Sequence, residues 1–184
     1  PRIGVRFRLP ASMNQVEYFG RGPAENYLDR NAGSMVGLYK STAEELYFPY
    51  VRPQENGHHT DTRWVSLSTG KKGLLIQADN TIGFNALRNS IEDFDDEEAT
   101  GLSRQWSNFT PEQVANHDEA AAKNVLRRQH HINDITPRDF VEVCVDLKQQ
   151  GVAGYDSWGS RPEPAYTLPA NREYNWGFTL IPLK

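Results

Sequence analysis

Apolar and polar residues alternate along much of the chain. Ile3 to Leu9 alternates with arginine and glycine, and the same two-residue period recurs in Val16 to Phe19, Asp61 to Leu67 and Phe140 to Leu147. Because successive side chains of a strand point to opposite faces, this period predicts strands that bury one face. Gly73 to Ala78 is apolar on both faces, which predicts a central strand. The pattern indicates an all-β domain.

The segments between these strands predict turns and one short helical piece. Residues 68–73 (STGKKG) predict a hairpin turn, and Ala24 to Arg30 predicts a turn that positions Asn26 and Asp29. Leu38 to Tyr47 is expected to form one or two turns of helix before Pro49 interrupts it.

One longer helix is predicted as an insertion between strands. Thr110 is placed as its N-cap, Pro111 occupies the first helical position, and Gln113 completes a capping box. These signals predict a helix from Pro111 to Arg128. The chain then returns to strands, the last of which is predicted from the alternation between Tyr174 and Leu180.

Length, charge and cysteine content narrow the classes of function. The chain has 184 residues, enough for one domain, with 24 acidic against 20 basic residues and a net charge of −4. No basic block occurs and no apolar run approaches about 20 residues, so neither nucleic acid nor a membrane is expected as a partner. The single Cys144 excludes an internal disulfide and a cysteine-based zinc site. The start at Pro1 suggests a fragment of a longer protein.

Two histidine pairs, His58-His59 and His130-His131, raise the question of a metal site. Neighbouring residues on a strand point to opposite faces, so such a pair cannot chelate one ion, and no metal-ligand spacing accompanies them. No metal site is expected.

Catalytic groups for hydrolysis are also missing from the sequence. Hydrolysis needs an activated serine or a pair of carboxylates, and no G-x-S-x-G motif occurs. Glu55 and Asp156 are the only acids in rigid, aromatic-rich loops, and Glu55 is more simply explained by an ion pair with Arg52 or Arg63. No catalytic residue is predicted in this chain.

Residues 151–166 (GVAGYDSWGSRPEPAY) predict a rigid, shaped loop. Its glycines permit unusual backbone angles, its prolines restrict others, and Asp156 and Ser157 can bond back to nearby amides. Between them stands Trp158, whose flat ring could carry a sugar. On residue chemistry alone, the favoured interpretation is that Trp158 plugs the end of a β-sandwich core, because an isolated tryptophan is usually a packing residue.

Three stretches together resemble one family. They are residues 18–27 (YFGRGPAENY), 49–57 (PYVRPQENG) and 156–159 (DSWG). In this order they resemble the C-terminal small-chain domain of bacterial β-galactosidases of glycoside hydrolase family 2. The resemblance covers nearly the whole chain. It implies a β-supersandwich like that of the galactose mutarotases, with residues 1–184 forming a single domain that is truncated at its N-terminal side.

The resemblance also implies a function. The parent would hydrolyse terminal non-reducing β-D-galactose residues with retention, using glutamates on an upstream barrel domain. This chain would supply Trp158 as a platform for the leaving-group sugar and would be inactive alone. The residues expected to support the loops of the pocket are Asp156, Ser157, Arg52, Glu55 and Asn56.

Further expectations concern partners and alternatives. The resemblance implies a galactoside substrate, other domains of the same polypeptide as partners and a homo-oligomeric parent. No cofactor is expected in this fragment, because any Mg²⁺ or Na⁺ of the parent would be bound by other domains. A bacterial protein is implied, either cytoplasmic or periplasmic. Two alternatives stay open: a free-standing mutarotase-like aldose epimerase, using His58 or His59 with Glu55, and a non-catalytic carbohydrate-binding module.

Overall fold

The computed structural model describes residues 1–51, 54–94, 132, 135–156 and 159–184. Within these residues the chain forms one antiparallel sheet of seven strands. The strands are β1 (Arg2–Pro10), β2 (Gln15–Gly22), β3 (Met35–Thr42), β4 (His59–Ser68), β5 (Gly73–Leu87), β6 (Phe140–Gln149) and β7 (Phe178–Leu183). Two short 3₁₀ helices cover Ile91–Asp93 and Pro164–Tyr166.

The strand β5 organises the sheet, whose order is β1-β6-β5-β4-β2-β3. Its first half pairs with β7 between Gly73 and Ala78, and its second half pairs with β6 between Gly83 and Leu87. On its other side, β5 pairs with β4 through an irregular register around residues 78–81. Such a bulge bends the strand, so its two halves can pair with different neighbours.

Alternate residues of the central strands form the core. Val16 and Tyr18 on β2 lie on the same face as Val65 on β4 and Ile76 on β5, and all four are buried. The Tyr18 ring packs edge-on against Phe84, with 5.1 Å between ring centroids. This core fixes the strand register, because a shift by one residue would expose every buried side chain.

The all-β prediction is confirmed, and the strands predicted around residues 3–9, 16–19, 61–67, 73–78 and 140–147 are all present. The helical expectation for Leu38 to Tyr47 is wrong, because β3 runs to Thr42 and pairs with β2 along its full length. The closing strand begins at Phe178 instead of Tyr174, since Phe178 is the first of these residues to pair with β5. The predicted helix from Pro111 to Arg128 lies outside the described residues.

The chain divides into two compact units. The first comprises Pro1–Phe48, Asn56–Arg88 and Arg138–Lys184 and contains all seven strands named above; the second comprises Pro49–Glu55 and Asn89–Pro137. In the second unit, Asn89 donates through Nδ2 to the carbonyl of Thr136 at 2.8 Å. No helix in the described part of the chain is long and apolar enough to cross a membrane.

Candidate functional site

The loop that follows β6 is fastened at its start by Asp29. The Asp29 carboxylate accepts the backbone N–H groups of Val152 at 3.0 Å and Ala153 at 2.8 Å. The N–H of Gly151 donates to the carbonyl of Tyr166 at 2.9 Å, which joins the two ends of the loop. Bonds to a carboxylate are stronger than those between neutral groups. The loop is therefore held from both sides, as its composition predicts.

Position 151 has no room for a side chain. A Cβ there would lie 2.6 Å from the Asp29 carboxyl carbon and 3.0 Å from Cβ of Tyr166. Gly154 and Gly159 have φ of 87° and 88°, in the left-handed region that favours glycine. These glycines shape the loop.

Asp156 and Ser160 close a small turn within this loop. The N–H of Ser160 donates to Asp156 Oδ1 at 3.2 Å, and the N–H of Tyr155 donates to Ser160 Oγ at 3.1 Å. Asp156 thus bonds back to the loop backbone, the contact expected of a supporting residue. Ser157 and Trp158 lie outside the described residues, so their predicted roles stay predictions.

The turn after β2 is tied to residues 56–60. Asn26 accepts both the N–H and the hydroxyl of Thr60, at 2.9 and 2.6 Å, and donates to the carbonyl oxygens of Arg21 and Ala24. The Glu25 carboxylate accepts the N–H of Gly57 at 2.6 Å. The prediction of a turn that positions Asn26 and Asp29 is confirmed. These bonds also connect two of the three stretches on which the family resemblance depends.

Among the other candidates, Asn56 is buried and bonded on two sides. Its Oδ1 accepts the N–H of Phe48 at 2.9 Å, and its carbonyl accepts Nδ2 of Asn85 at 2.7 Å. Glu55 is partly buried and belongs to the second unit, while Arg52 lies outside the described residues. The pocket-supporting roles of these three residues stay predictions.

His58 is at the centre of a buried polar cluster. Its Nδ1 lies 2.8 Å from Asn85 Oδ1 and 3.9 Å from Asp146 Oδ2. Arg2 Nη2 donates to Asn85 Oδ1 at 3.0 Å and lies 3.4 Å from Asp146 Oδ2. Because the Asn85 oxygen accepts from Arg2 and its NH₂ group donates to Asn56, His58 Nδ1 must carry the hydrogen. The cluster joins β1, β5 and β6 to the start of β4.

Burial disfavours the charged form of both histidine rings. It lowers the pKa of His58 to about 3, an effect that the Arg2 charge strengthens and the bond to Asn85 opposes. Burial also lowers the pKa of His59, whose ring nitrogens lie 3.0 and 3.2 Å from the carbonyl oxygens of Gly57 and Pro23. Both histidines are at most 1% exposed, whereas an epimerase acid has to reach its substrate.

Two acids of β6 are buried opposite arginines. Glu142 accepts from Arg8 Nε at 3.0 Å and from Arg6 Nη1 at 3.5 Å, while Asp146 faces Arg2. These contacts join β6 to β1, so both acids suit a structural role. Among the described residues, no three histidine, cysteine, aspartate or glutamate side chains are grouped to hold a metal ion.

Comparison with known proteins gives a consistent result. Residues 1–180 match the family model described as Beta galactosidase small chain. The chain belongs to that family. It is 35% identical over its full length to a β-galactosidase of Priestia megaterium, of which it covers 15%. It is 29% identical over 98% of its length to a β-galactosidase of Vibrio cholerae, of which it covers 14%.

The resemblance inferred from the three motifs is thereby confirmed. The chain spans only about 15% of the length of the β-galactosidases that it matches. The structure contains two features that the sequence did not reveal. One is the Asp29 clamp, which is the pair of bonds from the Val152 and Ala153 amides to the Asp29 carboxylate. The other is the cluster around His58. One sequence signal could have pointed to the cluster around His58. Its members Arg2, Asn85 and Asp146 are polar residues, and each lies within a strand that is otherwise rich in apolar side chains.

Proposed function

We propose that the chain is the C-terminal domain of a retaining β-galactosidase and completes its active-site pocket with Trp158. The domain supplies an aromatic platform, while the two catalytic glutamates lie on a barrel domain elsewhere in the polypeptide. Support comes from the family match over residues 1–180 and from the loop that carries Trp158. The observation that carries most weight is the clamp by Asp29, which fixes the loop backbone five residues before Trp158.

The proposed role of Trp158 is to bind the leaving-group sugar. An indole ring offers a flat apolar face to the C–H groups of a pyranose, and a fixed backbone holds that face at a constant height. Hydrolysis with retention proceeds through a covalent galactosyl intermediate on one glutamate, while the other serves as acid and then as base. In this proposal no residue of the chain takes part in bond cleavage.

The proposal extends to partners. The substrate is a terminal β-galactoside, and the other domains of the same polypeptide build most of the pocket. The parent is a homo-oligomer. Any Mg²⁺ or Na⁺ that it uses is held by those other domains.

The test uses Trp158→Ala in the full-length enzyme, with Trp158→Phe as the conservative variant. Ring stacking is worth about 0.5–1.5 kcal/mol, so Trp158→Ala should weaken inhibition by an aglycone sugar such as glucose by up to about tenfold. Inhibition by galactose should stay nearly unchanged, and Trp158→Phe should retain most of the affinity for glucose.

The same variant should also transfer galactose to sugar acceptors less often, relative to hydrolysis, because water needs no platform. Equal losses of glucose and galactose affinity, with the fold intact by circular dichroism, would place Trp158 in the galactose subsite or in the core and contradict the proposal.

A further inference from the structure

The geometry points to a carbohydrate-binding groove on the outer face of the sheet, around Trp64. The outer face is the side of β2, β4 and β5 opposite the core, and it carries Glu17, Trp64, Ser66, Leu75 and Gln77. We infer that an uncharged oligosaccharide of at least two sugar rings binds there. This inference does not depend on the proposed role of Trp158.

Two adjoining cavities form the groove. The first has a volume of about 380 Å³ and is lined by Glu17, Trp64, Ser66, Leu75, Gln77 and Leu183. The second, of about 400 Å³, shares Glu17 and Ser66 with it and extends toward the end of β3. Each cavity is within the size range of small-molecule sites. Because they share a wall, a ligand of two rings could occupy both.

Strand pairing places these side chains together. Ser66 on β4 lies opposite Glu17 on β2 and opposite Leu75 on β5, and Trp64 lies opposite Gln77. Directly opposed residues point to the same face of a sheet, and so do residues two apart on one strand. The groove therefore rests on three paired strands, which are more rigid than a loop site.

The first cavity combines an aromatic face with polar groups. Trp64 is half-buried, so its ring is held by neighbours while part of it stays open to a ligand. The carboxylate of Glu17 and the amide of the exposed Gln77 can bond to hydroxyl groups around such a ring. Ser66 already donates to the carbonyl of Glu17 at 3.3 Å, so its oxygen can still accept. This combination suits a pyranose.

The second cavity is mainly polar. Besides the shared residues, it is lined by the apolar Val16 and by the polar Gln15, Lys40, Ser41, Thr42, Glu45 and Ser68. Lys40 lies 3.4 Å from Glu17. Among the described residues that line the two cavities it is the one cation, against the carboxylates of Glu17 and Glu45. This balance disfavours a phosphate or another anion and favours a neutral ligand that has many hydroxyl groups.

The inference is tested by titrating the 184-residue chain with lactose, cellobiose and galactose and following tryptophan fluorescence and heat. Saturable binding is expected for a disaccharide, with weaker binding of galactose, because one ring fills only one cavity. Trp64→Ala should weaken disaccharide binding by about tenfold, and Trp64→Tyr should retain most of it. Trp176→Phe is the matched control and should bind as wild type, since Trp176 lines neither cavity.

Gln77→Ala provides a second variant in case Trp64→Ala fails to fold. Gln77 is exposed, so its loss should weaken binding severalfold without changing the circular dichroism spectrum. Failure of both disaccharides to saturate overturns the inference. So does binding that survives Trp64→Ala but is lost in Trp158→Ala, which would assign the sugar to the Trp158 loop. Self-association that Trp64→Ala abolishes, without sugar binding, would show an interface between copies of the chain instead.

Discussion

The Glu25 carboxylate accepts the backbone N–H of Gly57 at 2.6 Å, and this bond joins two segments that are 32 residues apart. The same oxygen of Glu25 also accepts the hydroxyl of Tyr27 at 3.0 Å. Gly57 has φ of 73°, and a Cβ there would lie 2.9 Å from the carbonyl oxygen of Leu46. The motif residues Glu25 and Gly57 are thus explained by a structural contact between two turns.

Glu25→Ala should lower the free energy of unfolding by about 1–3 kcal/mol, because it leaves the buried N–H of Gly57 without its acceptor. Urea denaturation at pH 7 measures the change. Glu173→Ala is the matched control, since Glu173 is exposed, and it should stay within about 0.5 kcal/mol of wild type. If the two variants were equally stable, the contact would contribute nothing.

Asp29→Ala should loosen the loop without unfolding the sheet. The variant removes the acceptor of the Val152 and Ala153 amides, and the loss of about 1.4 kcal/mol of local stability corresponds to about tenfold faster hydrogen exchange at these amides. Asp139→Ala replaces another aspartate, one that is exposed, and should leave their exchange unchanged. Unchanged exchange in Asp29→Ala would mean that the loop is held by other contacts.

The isolated chain should not hydrolyse an aryl β-galactoside. Hydrolysis with retention needs one carboxyl group as acid and another as nucleophile, and our proposal places both on another domain of the polypeptide. Release of nitrophenol from nitrophenyl β-galactoside measures turnover, and the full-length enzyme is the positive control. Turnover by the isolated chain that Glu55→Gln abolishes would contradict the prediction, since Glu55 is the acid that an alternative reaction would have to use.

Local pattern was enough to predict most strands but not β3. The strands β2 and β4 bury alternate side chains over most of their length, and this produces the period that the sequence displays. In β1, Phe7 and Leu9 are partly buried between exposed neighbours. The strand β6 is buried on both faces, and its period comes from Glu142 and Asp146, which lie opposite arginines. In β3, by contrast, Val36 and Leu38 are 41% and 58% exposed, and no buried face produces a signal. Its extended conformation comes from pairing with β2. The amino-acid preferences of residues 35–42 by themselves do not indicate this pairing.

The candidate site, too, could be predicted from the sequence only in its local features. The glycines and prolines of residues 151–166 predicted a shaped loop, because their backbone preferences are local. The partner that holds the loop, Asp29, lies 123 residues before Val152 and carries no local signal for that contact. The cluster around His58 likewise draws Arg2, Asn85 and Asp146 from three different strands, so only the folded topology brings them together.

His58 makes the fold sensitive to acid. Its pKa is about 3 in the folded chain and about 6.5 in an unfolded one. Between these values the unfolded chain binds a proton that the folded chain does not. The stabilisation is therefore fully present above about pH 6.5 and is lost as the pH falls toward 3, by about 1.4 kcal/mol per pH unit within that range. His59, whose pKa burial also lowers, acts in the same direction.

The expected result is a smaller pH dependence in His58→Asn. Asparagine can still donate toward Asn85 but does not titrate, so the variant is less stable at pH 7 through lost packing, yet loses less stability on acidification. Urea denaturation at pH 7 and pH 5 should show wild type losing about 2 kcal/mol more than His58→Asn between these two conditions, from about 1.5 pH units of proton linkage.

Above pH 5 most carboxylates stay ionised in both states, so they contribute little to the difference. His59→Asn should reduce the dependence in the same sense. Identical losses in wild type and His58→Asn would mean that His58 is protonated in the folded chain, with Asp146, 3.9 Å from its Nδ1, as the nearest negative charge to stabilise it.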